Sequence, residues 1–498
     1  MLSHRANVPD TRSLLTDTPA NTAMLLSQRS VMYVAARYGG GVLVNAANVF
    51  VLTWWIGPRA YGVFVTAVGI TTVLASMARA GLDTHLVRLE QDPEREDYDT
   101  AFTLILAFSI ALICLGVLAL PLLNRWLHGS NFALPYLTLL VTVPLVGLAG
   151  PPMARLERAL RFEEVAKIEL GGQVVASAVG ATLAWRGLGV WAPVTGHLIW
   201  QLFVLVAVRR VSGFSPRVFL NRDRARKMLA FGLGYSASLR VWQIRKLVNP
   251  LIVGRILGPE AVAYVGLAAR AIEALGVVRA ALERVGTAAL SRLRDNTEHC
   301  QGIMQKGALL DVLVLGPLVL IVTALGPTLL PRLFGARWTG ALLVLPFVTT
   351  GALINSVFAL EASALFVEGR QWVVTRSYFW HVVILGIGTM ALTPVVGLVG
   401  YGWAELAACI PYAILHRGLP LSLRISLTPI LPWLAAFSFA LLSSLLASPA
   451  RWIAWLPLMF LVGLEVRRSL ALSSLVQQTQ SGPFLAAWLS AALRRSGD

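Results

Sequence analysis

Apolar runs of roughly 20 residues, separated by short polar breaks, recur along the chain from Val31 to Glu465. A helix rising about 1.5 Å per residue crosses a hydrocarbon core of about 30 Å with such a run. The pattern predicts spans near 31–56, 61–78, 101–123, 132–150, 166–185, 190–208, 229–254, 261–283, 308–330, 341–366, 372–393, 398–416, 426–447 and 453–466. The expected fold class is therefore an all-α polytopic membrane protein of about 14 transmembrane helices. Polar stretches mark off residues 1–30 and 467–498 as tails and 209–228 as a basic linker. Between them lie 31–208 with spans one to six, 229–416 with spans seven to twelve, and 417–466 with the last two.

Charge adds an orientation. Only 13% of the 498 residues are charged, against about 25% in soluble domains, yet the net charge is +17, carried by 38 arginines and 4 lysines. With the N-terminus inside, inward segments hold 29 of these cations and outward loops 7: Arg59, Arg125, Arg186, Arg255, Arg332, Arg337 and Arg451. That bias predicts both termini in the cytoplasm of an inner-membrane protein, and it makes the basic balance a topology signal rather than a nucleic-acid footprint. Trp54, Trp55, Trp126, Trp185, Trp191, Trp338, Trp372 and Trp452 fall near predicted span ends, where an interfacial belt is expected. Outward loops are short, leaving no outer catalytic domain. The polar N-terminal stretch lacks an early apolar core and reads as a tail rather than a cleaved leader. Cys114, Cys300 and Cys409 are too scattered for a disulfide framework or metal cluster. No phosphate-binding loop or nucleophile elbow appears.

An internal repeat organises the spans. WWIGPRAYGVFVTAVGI at 54–70 resembles RILGPEAVAYVGLAARAI at 255–272, with Gly57-Pro58 and Gly258-Pro259 aligned at an offset of 201. Downstream, GLDTHLVRLE from Gly81 matches VGTAALSRLR from Val285. Six spans separate the copies, so both halves share one orientation, and a substrate path is expected between them.

These residues carry a family resemblance. IGPRAYGVF at 56–64, GLDTHLVR at 81–88, PPMARLERALRFEEVAKIE at 151–169 and NPLIVGRILGPEAVAYV at 249–265 together resemble bacterial polysaccharide-unit flippases of the Wzx type, within the multidrug, oligosaccharidyl-lipid and polysaccharide exporter superfamily. The resemblance implies two parallel six-helix lobes forming a V around a central cavity, two extra C-terminal helices, alternating access, and an undecaprenyl-diphosphate-linked oligosaccharide as cargo. It also implies a polymerase and co-polymerase as pathway partners. The likeness extends to flippases of xanthan-like exopolysaccharide pathways, which implies an acidic repeat unit. It departs from the peptidoglycan-precursor flippases of the superfamily, which carry an Arg-Asp pair in the first span, because Arg37 here precedes Tyr38.

Six cations lie within spans: Arg37, Arg240, Arg245, Lys246, Arg270 and Arg279. A charge at mid-membrane costs about 2.5–3.5 kcal/mol on insertion scales, so each needs a partner or a wet cavity. Helical spacing puts Arg37, Gly41, Asn45 and Asn48 on one face of span one. Ser236, Arg240, Gln243 and Lys246 fall within an arc of about 120° on span seven, while Arg245 points elsewhere. Arg37, Asn45, Asn48, Arg240, Gln243, Lys246 and Arg270 are accordingly the candidate substrate-binding residues, arginine suiting phosphate and carboxylate oxygens. Arg245 equally suits a structural bond, and Arg279 suits snorkelling at the cytoplasmic edge. Glu273, one turn after Arg270, fits either an ion pair with it or a coupling carboxylate beside it. Glu361 and Glu405 are further coupling candidates for H+ or Na+, with His197 and His381 nearby in type. No other cofactor is expected. Two rival functions remain: a cation-coupled multidrug exporter, which should line its path with carboxylates, and a membrane-embedded polymerase or glycosyltransferase, which needs a larger outer loop.

Overall fold

The computed structural model describes residues 40–465 apart from 42–43, 46, 129–130, 236, 293–296 and 447–452. Arg37 and Trp452 lie outside the described residues, as does the side chain of Arg279. The described chain runs as α1 (47–55), α2 (Pro58–Arg79), α3 (Leu82–Arg88), α4 (Arg95–Trp126), α5 (Ala133–Leu140), α6 (Thr142–Leu148), α7 (Gly150–Arg158), α8 (Phe162–Trp185) and α9 (Trp191–Ser212) in its first half. The second half continues with α10 (Arg222–Tyr235), α11 (Ala237–Arg245), α12 (Gly254–Leu257), α13 (Pro259–Arg292), α14 (Thr297–Phe334), α15 (Leu345–Val367), α16 (Gln371–Val396), α17 (Leu398–Ala407), α18 (Tyr412–Gly418), α19 (Leu431–Leu442) and α20 (Leu456–Glu465). Among the described residues, eight helical stretches are long and apolar enough to cross a membrane, with α5 to α7 forming one of them and α17 with α18 another. The two C-terminal helices are shorter and apolar. The protein is an all-α, multi-pass membrane protein.

Exposed apolar side chains cover the helix surfaces, among them Leu118, Leu122, Ile387, Val395 and Ile410. Such a surface is stable only against lipid. Inside, one apolar cluster packs α2, α5, α6 and α9 around Tyr136, Leu139 and Val143. Another packs α14, α15, α16 and α19 around Val312, Val357, Val374 and Phe437. A third joins the halves, with Val49, Leu52 and Tyr61 meeting Ala263, Leu267 and Trp338.

The repeat explains that junction. Both α2 and α13 begin at a Gly-Pro step, where proline presets the first helical turn without losing a needed N–H. The two helices pack against each other: a Cβ placed at Gly62 would sit 1.7 Å from the Pro259 carbonyl oxygen. Glycine at that motif position is what lets the halves touch. This side is the Gly-Pro end of the molecule, and the opposite side, which carries the arginine-rich connections, is its basic end.

At the basic end the connections are ordered by their own charges. Arg158 at the end of α7 donates to the carbonyls of Leu86, Val87, Leu89 and Gln91 at 2.7–3.4 Å and caps the C-terminus of α3. The linker after α9 lies along the start of α4, with the Arg217 N–H donating to Asp99 Oδ1 at 3.0 Å and the Phe219 N–H to Thr103 Oγ1 at 3.0 Å. Arg224 of α10 pairs with Glu94, Glu96 and Asp97 at 2.5, 3.4 and 2.7 Å.

Candidate functional site

A groove of about 450 Å³ runs between the halves, walled by α1, α13 and α14. Its walls are apolar over most of their length, with Leu267, Ile321, Leu325 and Leu329 among them. Polar groups enter through Asn45, just before α1, and the pair Arg270–Glu273 on α13, whose guanidinium donates to the carboxylate at 3.0 Å. The Arg270 side chain is 42% exposed and that of Glu273 56%, so the pair faces open space rather than closing on itself in a packed core. Lys246 is exposed and lies within electrostatic range of Arg270 and Glu273. Three of the sequence candidates, Asn45, Arg270 and Glu273, thus line one groove built by elements from both halves, with Lys246 in electrostatic range of the pair.

The other candidates lie elsewhere, and on the seventh span this is because the helix is broken. Pro250 lacks an N–H and crowds the carbonyl four residues back. Lys246 and Leu247 donate to carbonyls only three residues away, at 3.0 and 2.9 Å, and Asn249–Val253 forms a π turn. The angular count of a straight helix therefore does not carry through from Arg240 to Lys246. Arg240 donates to the Ala80 and Gly232 carbonyls at 2.9 and 3.1 Å, tying α11 to the end of α2 at the basic end. Ala80 has φ of 50°, which ends α2 there. His85 packs at a tilt against Phe231 with centroids 4.9 Å apart, in the same contact; burial holds its imidazole below the ordinary histidine range, against the opposing pull of Asp97. Gln243 Oε1 and Asn48 Oδ1 are buried without a protein hydrogen-bond partner. Asn48 and Asn249 each stand nine residues before their Gly-Pro step, and Asn249 Oδ1 is likewise unpaired while its amide donates to the Val262 carbonyl at 3.2 Å.

The remaining carboxylates sit in the second half. Glu405 on α17 pairs with Arg245, whose Nε also donates to His381 Nε2 at 2.9 Å. Trp242 covers the Arg245 guanidinium at 5.0 Å, and His381 stacks on Tyr412, whose hydroxyl accepts from Asn355 at 2.8 Å. Glu361 is fully buried and meets His416 Nδ1 at 2.8 Å. The sequence pointed to Arg245, His381, Glu361 and Glu405 but not to His416, nor to the pairings, which join residues 55 to 160 positions apart.

At the Gly-Pro end the groove is shut. Trp338, in the 3₁₀ turn Ala336–Leu343, is fully buried, packs edge-on to Tyr61 at 5.6 Å and donates to the Thr53 carbonyl at 3.2 Å. It is a plug between halves and not a member of the interfacial belt to which its position near a span end had assigned it. The Arg337 guanidinium beside it donates to the carbonyls of Thr53 and Trp54. Tyr264 donates to the Arg337 carbonyl at 3.0 Å. The sequence held no signal for this role, since a tryptophan at a span end reads as a lipid anchor unless its neighbours are known.

The comparisons agree with this architecture. The fold is similar to that of a structure described as the lipid II flippase MurJ in an inward closed conformation, with a TM-score of 0.69 and 14% identity over 90% of this chain and 100% of that one. A eukaryotic MATE transporter matches with a TM-score of 0.54 and 12% identity, covering 80% of this chain and 97% of that one. In sequence, the amylovoran biosynthesis protein AmsL of Erwinia amylovora is 21% identical over 328 residues, 63% of this chain and 81% of its own length. Residues 51–343 match the family described as polysaccharide biosynthesis protein. That match spans both Gly-Pro steps, the broken seventh span and the plug at Trp338, and on it the chain belongs to the polysaccharide biosynthesis protein family.

Proposed function

We propose that the protein is a flippase that carries a polyprenyl-diphosphate-linked oligosaccharide from the cytoplasmic to the periplasmic leaflet of the inner membrane, by alternating access between its halves. The observation that carries this reading is the groove itself. Apolar walls along most of its length suit a prenyl chain, and the cluster of Lys246, Arg270 and Glu273 suits the diphosphate that joins chain to sugar. The family match supports a place in polysaccharide synthesis, and AmsL is itself named for amylovoran biosynthesis. The arginine bias of the connections supports an orientation with the basic end and both termini in the cytoplasm.

In this reading the head group enters from the basic end while Trp338 and Arg337 hold the Gly-Pro end closed. Opening that end releases the cargo outside. H+ or Na+ coupling through Glu273, Glu361 or Glu405 belongs to the same proposal: each carboxylate faces a cation or a histidine, so neutralising it would loosen a contact between helices. A polymerase and a co-polymerase would take up the delivered units. Lys246, in electrostatic range of the balanced Arg270–Glu273 pair, adds a positive charge that disfavours cationic drugs as cargo.

The test follows lipid-linked repeat units in spheroplasts with and without the protein. Units reaching the outer leaflet should fall severalfold in its absence; equal delivery in both would overturn the reading. Lys246→Ala and Arg270→Ala each remove charge-assisted bonds of about 1.5–3 kcal/mol. Each should cut delivery about tenfold at unchanged protein level.

A further inference from the structure

A second cavity, of about 560 Å³, opens within the first half at the basic end, between α3, α7, α8 and α9. Three of the side chains that line it each carry a buried polar atom without a protein hydrogen-bond partner: Arg79 Nε, Gln173 Oε1 and Trp200 Nε1. Buried donors and acceptors are seldom left unpaired, so their convergence on one cavity marks a place for a polar ligand. The set contains two donors and one acceptor. Hydroxyl groups match it, since each both donates and accepts.

Charge narrows the ligand class. Two arginines, Arg79 and Arg88, are set against three carboxylates, Asp83, Glu157 and Glu169, and Arg79 is already paired with Asp83 at 3.4 Å. A near-neutral mixed lining neither concentrates a diphosphate nor attracts an organic cation. It suits a neutral polyhydroxylated surface, with the Trp200 indole offering an apolar face beside the polar groups. Trp200 is held in place rather than free: a Cβ at Gly172 would meet its Cδ1 at 2.8 Å, and the His197 ring stands edge-on to it at 5.8 Å.

Position links this cavity to the groove. A Cβ at Gly41 would lie 3.5 Å from both terminal atoms of the Gln173 amide, so the start of the first span passes beside the cavity. Asn45, one turn later, lines the groove with Arg270 and Glu273. Gly41 at the cavity and Asn45 at the groove stand four positions apart in the chain, close enough for one molecule to occupy both places. We infer that the cavity bounded by Gln173, Trp200 and Arg79 is the docking site for the sugar portion of the cargo, held apart from the charged groove that takes the diphosphate and lipid. This inference rests on the flippase reading and gives that reading a second subsite.

The test uses purified full-length protein and two probes. One is the mixture of oligosaccharides released by mild acid hydrolysis of the source strain's own exopolysaccharide; the other is farnesyl diphosphate, which has tail and diphosphate but no sugar. Wild type should bind both. Gln173→Ala should weaken the oligosaccharides about tenfold or more while leaving farnesyl diphosphate within about twofold. Gly172→Ala, which displaces the indole without removing a polar group, should act in the same direction, so a folding defect in one variant leaves the other to decide. Oligosaccharide affinity unchanged in both variants would overturn the inference. Wild type that binds farnesyl diphosphate but no oligosaccharide would overturn it while leaving the flippase reading intact, and wild type that binds neither would remove both.

Discussion

Arg245 and Glu405 show most plainly what a single residue does here. Glu405 is 5% exposed at its side chain and lies in the apolar second half, where an unpaired carboxylate is costly. Arg245→Ala should therefore lower stability by about 3–5 kcal/mol, read as an earlier melting transition in detergent. The double replacement Arg245→Met with Glu405→Leu should recover most of that loss, because it removes both charges together; a double variant as unstable as the single one would mean that the pair is not the cause. Sequence reasoning left Arg245 between structural and substrate roles because its partners stand 136 and 160 positions away. Helical spacing reports which residues share a face of one helix and carries nothing about the helix opposite. Asn45 and Arg270 were legible as polar positions in apolar spans for the same local reason, but their meeting in one groove depends on how α1 and α13 are set.

Helix periodicity failed at the seventh span, where the helix is not continuous. Pro250 is visible in the sequence, but the π turn and the shortened bonds before it re-aim Lys246 relative to Arg240 in a way that a uniform 100° count cannot represent. A different element, α3, depends on a partner outside itself. Seven residues are too few for an isolated helix, and Arg158 supplies the donors that the carbonyls at its C-terminus lack. Replacing Arg158 with Ala should destabilise α3 locally by about 1–2 kcal/mol. Amide exchange over residues 82–92 should accelerate about tenfold while exchange in α15 stays as it was. The two motifs that contain these residues, GLDTHLVR and PPMARLER, are separate signals in the sequence and one contact in space.

Across the whole molecule, the halves are joined by small residues and one large one. Gly62 against Pro259 brings α2 and α13 together, and Trp338 fills the space left at the Gly-Pro end. Trp338→Ala should loosen that closure. With Ala341→Cys as reporter and Cys114→Ser to remove the exposed native thiol, labelling by a membrane-impermeant maleimide added from the periplasmic side should rise severalfold over the same reporter with Trp338 intact. Unchanged labelling would mean that the plug does not hold the end shut. The chain's own order of residues determined that this is a many-span helical membrane protein, that its connections are asymmetric in charge, and that a Gly-Pro segment recurs at an offset of 201. Those properties follow from hydropathy, charge and periodicity, which are local and additive along the chain. Only the tertiary structure decided which buried charges pair with each other, which face the groove, and that Trp338 seals the end instead of resting in lipid. Pairing and closure depend on distances between helices remote in sequence, and in a membrane, where apolar surface is equally stable against lipid or protein, hydropathy alone does not distinguish the two environments.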